Sequence, residues 1–205
     1  MLLVPLLLSL TVHEWAHAWS AHRLGDDTAK MQGRLTLNPI AHIDPIGTLI
    51  LPLLGIPFGW AKPVPVNPTR FRRGVKMSTG MMLTAAAGPL ANVALAVVCA
   101  IAFGLIARFS PEAMTARFGV APLLMIGIQI NVTLAIFNMI PIPPLDGSRV
   151  VDGLVPYGWR PHWESIVRLS PLLLVVVIVA GQKLIAGPAG YIVGWLTQII
   201  FAIQS

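Results

Sequence analysis

The sequence predicts an all-α membrane protein: a polytopic helical bundle with a proline-rich re-entrant or β-edge segment between its first two spans. Three observations carry this expectation. Of 205 residues, 56% are hydrophobic and 11% charged, with a mean hydropathy of +0.77, whereas soluble domains carry about 25% charged residues. Apolar runs of about 20 residues, the length that crosses a hydrocarbon core of about 30 Å, recur along the chain. Lys and Arg gather mostly between those runs, as membrane topology requires.

The elements follow in order. Residues 1–22 predict a first helix of about 33 Å at about 1.5 Å per residue, long enough to span. Gly25-Asp26-Asp27 ends it. No cleaved leader is expected, since cleavage after this run would strand the polar motif it carries. Residues 28–76 are punctuated by Asn38-Pro39, Asp44-Pro45, Pro52, Pro57, Pro63, Pro65 and Pro68, which forbid a long unbroken helix. Within them Gly47 to Trp60 is apolar but short, which fits a partly inserted or re-entrant segment. The Val64 to Val66 region suits a strand at the membrane edge. Residues 79–107 and 120–140 predict the second and third spans, and 145–168 a mixed polar connection. Residues 169–186 and 188–204 predict two further helices around Gly187-Pro188, with the last spanning fully, crossing incompletely or lying flat. The whole chain, 1–205, reads as a single domain with no repeat and no room for a further soluble module. Cys99, the one cysteine, lies in an apolar run as a packing residue and excludes a disulfide framework or a cysteine-rich metal site.

The net charge of +6 does not indicate nucleic acid, because of where it sits. Arg23, Lys30, Arg34, Lys62, Arg70, Arg72, Arg73 and Lys76 crowd the connection after the first span. Arg108 and Arg117 occupy the next, and Arg149, Arg160 and Arg168 the one after. This alternation predicts cytoplasmic first and third connections, an external amino terminus, and the end of the first span near the cytoplasm. The Arg70 to Lys76 cluster reads as a topology anchor on anionic lipid. The six tryptophans include candidates for the interfacial belt.

Inside the first span stands His13-Glu14-Trp15-Ala16-His17. Residues four apart share a helix face, so two neutral imidazoles can grip one zinc ion with Glu14 beside it as general base. Ionisable groups at membrane depth are expensive and mark function by default. A catalytic zinc takes three protein ligands and leaves a position open for water, so a third ligand is needed from eight carboxylates. Glu112 falls in the connection assigned to the opposite side. Asp146 follows Asn138-Met139-Ile140-Pro141-Ile142-Pro143-Pro144-Leu145, where a helix runs into three prolines and must unwind. Unwound backbone at that depth is tolerated where it lines a wet cavity, and it can aim the carboxylate sideways.

These two motifs together resemble the site-2 protease family of intramembrane zinc metalloproteases. The resemblance extends through Arg23-Leu24-Gly25-Asp26, Gly33-Arg34-Leu35-Thr36-Leu37-Asn38-Pro39, His42-Ile43-Asp44-Pro45 and Ala87-Gly88-Pro89-Leu90-Ala91-Asn92. It covers the chain to about Arg149 and is similar to the short bacterial branch without an added soluble domain. It implies one Zn²⁺ per chain on His13, His17 and Asp146, with Glu14 activating water and Asn138 positioning or polarising the substrate carbonyl. It also implies a transmembrane protein substrate, a bilayer setting in a bacterial cell membrane, and an active site toward the cytoplasm. Oligomeric state is left open.

Plainer readings stand beside these. Asp146 before Gly147 is also a common helix-end or turn residue, and Asn138 a plain interhelical hydrogen bonder. Asn92, four residues after Gly88, either packs helices or borders the site. His42 and Asp44 either orient the ligands or serve the proline-rich turns around them. His22 suits the membrane surface. A metal transporter using the same histidines, or a silent relative that binds membrane proteins, is the rival function. The convergence of charge on one site with a base opposes the first, and the intact Glu14 opposes the second.

Overall fold

A computed structural model describes residues 2–54, 60–114 and 119–204. Eight α-helices are found among them: α1 (Leu3–Arg23), α2 (Thr28–Met31), α3 (Leu51–Leu53), α4 (Met77–Phe109), α5 (Val120–Asn138), α6 (Asp146–Leu154), α7 (Arg160–Arg168) and α8 (Ser170–Gln204). No β-strand occurs among the described residues, and the architecture is all-α.

Among the described residues three helices are long and apolar enough to cross a membrane: Met77–Phe109, Val120–Asn138 and, within α8, Lys183–Gln204. With 21 residues α1 has the length of a span, but its ionisable motif lowers its hydropathy and it is not among those three. It nests against α4 and α5, where Ala16, Ala18 and Ala21 are buried and let the backbones approach. The apolar core forms where α4, α5 and α8 meet. Ala96 and Ala100 of α4 face Ile128 and Val132 of α5 and Leu196 and Ile200 of α8. Small residues on the central helix admit branched ones from both sides, the usual solution where lipid supplies no hydrophobic drive for helix association.

At the carboxyl end the structure corrects the sequence reading. The two helices expected around Gly187-Pro188 are one continuous helix of 35 residues with Pro188 inside it. Proline is tolerated within membrane helices because local adjustment re-satisfies the one freed carbonyl. The cytoplasmic-side connection expected over 145–168 is itself mostly helical, as α6 and α7.

The proline-rich stretch is short-range structure throughout. Pro45–Ile50 is a single wide helical turn capped by Asp44, whose side chain accepts from Ile46 N–H and Gly47 N–H. Residues 55–59 of the expected re-entrant segment lie outside the described residues, as does Arg117. From Trp60 to Asn67 the chain is neither helix nor strand. The strand expected over Val64 to Val66 is therefore not found among the described residues. The segment is fastened from elsewhere: Lys62 N–H donates to the His42 carbonyl at 2.9 Å, and Asn67 N–H to Asp26 Oδ2 at 2.6 Å.

Candidate metal centre

His13 and His17 lie one turn apart on α1, both buried. Each spends its Nδ1 on a partner from another helix. His17 Nδ1–H donates to the Thr84 carbonyl at 2.7 Å. His13 Nδ1 meets Asn92 Oδ1 at 2.6 Å, and the Asn92 amide nitrogen is committed to the Ser9 carbonyl at 3.2 Å and to Asn131 Oδ1 at 2.7 Å. Both contacts on Nδ1 are acceptors, so both rings carry their proton there and present the bare Nε2 lone pair inward.

Asp146 arrives from the other end of the sequence. Helix α5 stops at Asn138, and the turn through Pro141, Pro143 and Pro144 delivers Asp146 as the first residue of α6. Gly147 lets that turn close, since an added Cβ there would collide with the Met139 carbonyl. The Asp146 Oδ2 stands 3.1 Å from His13 Nε2 and 3.4 Å from His17 Nε2, and the two Nε2 atoms are 3.0 Å apart. Oδ2 is nonetheless buried without a hydrogen-bond partner. The two statements agree chemically, because both imidazole protons are engaged elsewhere and no hydrogen stands between these atoms.

Three electron-pair donors therefore face one another in a buried spot, an arrangement that repels itself unless a cation sits among them. His13, His17 and Asp146 form the one such group of metal-capable side chains among the described residues. Two imidazoles and a carboxylate are a zinc donor set, and separations of 3.0–3.4 Å match the edge of a zinc tetrahedron, about 3.3 Å for bonds of about 2.0 Å. The residues present fit the ion. Gly88 completes the cradle: a Cβ on this residue of α4 would lie 2.5 Å from His17 Nε2 and 2.7 Å from His13 Cε1.

The centre opens into a cavity of about 540 Å³ lined by Glu14, Thr84, Val64, Asn138 and Arg149, among others. Glu14 Oε2 accepts the backbone N–H of Val64 at 3.0 Å, which sets its carboxylate between the motif helix and the Trp60 to Asn67 segment. Arg34 is buried beside that segment and donates to the Lys62 carbonyl. Burial pulls its guanidinium below the usual value, and the Glu14 charge opposes that shift.

The other expected site residues divide. Asn138 lines the cavity, but its Nδ2 donates back to the Leu134 carbonyl at 3.0 Å. Asn92 touches His13 directly. Asp44 is a helix cap and His42 bonds the Thr36 carbonyl at 2.8 Å, and neither belongs to the metal-capable group or to the cavity lining. Their proline-rich neighbours need those groups locally. Asn131, 1% exposed, was not among the expected residues. A signal for it exists: an amide two helical turns before Asn138, in a span whose other polar residues before that point are only Gln129 and Thr133, needs a reason to be there.

Comparison with known proteins agrees with this chemistry. A family model described as peptidase family M50 matches residues 103–180. YwhC of Bacillus subtilis, which bears a zinc metalloprotease name, is 41% identical over 87% of this chain and 80% of its own length. Rip2 of Mycobacterium tuberculosis, named likewise, is 33% identical over 74% of the chain and 56% of its own length. MJ0611 of Methanocaldococcus jannaschii, also with such a name, is 43% identical over 43% of the chain and 39% of its own length. No solved structure matches the chain.

Proposed function

The chain belongs to peptidase family M50, the site-2 protease family, and from that premise we propose that it is an intramembrane endopeptidase cutting a peptide bond in or near a transmembrane helix of a membrane protein. The coarser facts are that it is a zinc metalloprotease and an integral membrane protein. The observation that carries the finer reading is the convergence of three buried lone-pair donors beside Glu14, in a cavity bounded by membrane-length helices.

His13, His17 and Asp146 hold one zinc per chain. Bound there, zinc supplies Lewis acidity, polarising a carbonyl and lowering the pKa of water from about 15.7 to near 7. Glu14 takes a proton from the attacking water and passes it to the leaving amine, which is general base and then general acid work. Its bond to Val64 N–H keeps the carboxylate at the cavity wall in place of turning outward. Asn138, by releasing its bond to Leu134, donates an N–H to the developing oxyanion. Leu10, Phe137 and Ile178 make the rest of the lining apolar, which favours a hydrophobic segment and limits bulk water. A substrate helix hides its carbonyls in its own hydrogen bonds and must unwind locally first. The Trp60 to Asn67 stretch, which is neither helix nor strand, offers it an edge by strand addition.

The whole chain acts as one such domain. It sits in a bacterial cell membrane with the catalytic end of α1 toward the cytoplasm, consistent with the Arg and Lys that follow it. The deciding experiment incubates purified protein with a panel of single-span substrates, comparing wild type, Glu14→Gln and a chelated sample. Cleavage by wild type alone supports the proposal. Zinc flux through vesicles that survives Glu14→Gln, without cleavage by wild type, would replace it with transport.

A further inference from the structure

Behind His13 runs a chain of buried amides with a direction. Asn131 Nδ2 donates to the Gly127 carbonyl of its own helix at 2.8 Å, so its oxygen is the end that faces α4. That oxygen accepts from Asn92 Nδ2 at 2.7 Å, and the same nitrogen donates to the Ser9 carbonyl of α1. With both amide hydrogens committed, Asn92 has only its oxygen left for His13 Nδ1, at 2.6 Å. No other wiring works: turning either amide over sets oxygen against oxygen at Gly127, or at Ser9 and Asn131 together. Asn92 is 0% and Asn131 1% exposed, so water cannot repair such a mismatch.

We propose that Asn131, acting through Asn92, is a positioning residue that holds His13 in the tautomer protonated on Nδ1, leaving Nε2 bare for a metal. The inference rests on the metal-site reading above and deepens it. Without the acceptor on Asn131, only the longer 3.2 Å bond to the Ser9 carbonyl opposes turning Asn92 over, and the turned amide offers N–H to Nδ1. The imidazole proton then moves to Nε2, where it blocks coordination. Three helices thus share the control of one ligand, with Ser9 and His13 on α1, Asn92 on α4 and Asn131 on α5. Outer partners of ligating imidazoles typically change metal affinity by about 10–100-fold.

The test is a double-mutant cycle on the full chain in detergent, reading zinc affinity by chelator competition. In Asn92→Asp both side-chain oxygens accept, so the His13 bond no longer depends on which way the group is turned. The second oxygen then opposes the Ser9 carbonyl and Asn131 Oδ1, a repulsion that Asn131→Leu relieves in part. The expected result is that Asn131→Leu weakens zinc binding roughly 10-fold beside native Asn92 and has far less effect beside Asn92→Asp. Imidazole ¹⁵N spectra of the zinc-stripped protein should show the Nδ1-protonated form for His13 in the wild type and a mixture in Asn131→Leu. Asn131→Ala replaces the leucine variant if circular dichroism shows that the larger side chain disrupts the helices. Equal losses in both backgrounds, or no loss in either, overturn the proposal and leave Asn131 a packing group. A wild type that binds no zinc overturns the metal-site reading itself.

Discussion

The backbone N–H of Val64 donates to Glu14 Oε2 at 3.0 Å, joining residues fifty positions apart. The proposed base is thereby held by the same Trp60 to Asn67 segment that is proposed to receive the substrate. Val64→Pro removes that donor. Cleavage should fall at least about 10-fold, as expected for a displaced catalytic group, with zinc content unchanged. Wild-type rates in both Val64→Pro and Val66→Pro would dispose of strand addition at this edge.

Glu14 is not among the three converging ligands. Glu14→Gln should therefore retain zinc, measured by atomic absorption, while cleavage drops by roughly 10²–10⁴-fold, the range for lost general acid–base catalysis.

Asp146→Asn keeps the size of the side chain but withdraws its charge from between two lone pairs. Zinc should be lost on dialysis, and added zinc should restore little. Wild type stripped by chelator should instead regain cleavage when zinc is returned.

Gly88→Ala tests the cradle. The new methyl would lie 2.5 Å from His17 Nε2, a contact the imidazole relieves only by leaving its bond to Thr84. Zinc affinity should fall, with helical content by circular dichroism near wild type. Unchanged affinity would mean that α4 shifts aside freely.

Asp26 is fully buried and accepts from Thr28 N–H, the Thr28 hydroxyl and Asn67 N–H. It ties the end of α1 to the Trp60 to Asn67 segment. Asp26→Ala leaves buried donors unpaired and should cost about 1–3 kcal/mol, read as a lower unfolding temperature of the detergent-solubilised protein.

The class of this protein and most of the candidate metal centre were legible in linear order. Composition and apolar run length announce a membrane bundle, because lipid tolerates little else. His13 and His17 are four residues apart, so local helix geometry alone sets them on one face. The three prolines before Asp146 oblige the chain to leave the helix at that point. Pro188 misled, because breaking a helix depends on whether the surroundings can satisfy one carbonyl, and that is not written beside the residue. Only the packed structure revealed that Asp146 meets the histidines, that Asp44 caps a turn, and that Asn131 reaches His13 through Asn92. Helix geometry is governed by near neighbours along the backbone. The partner of a buried acceptor is chosen by whichever helix lies across from it, and that choice belongs to the bundle as a whole.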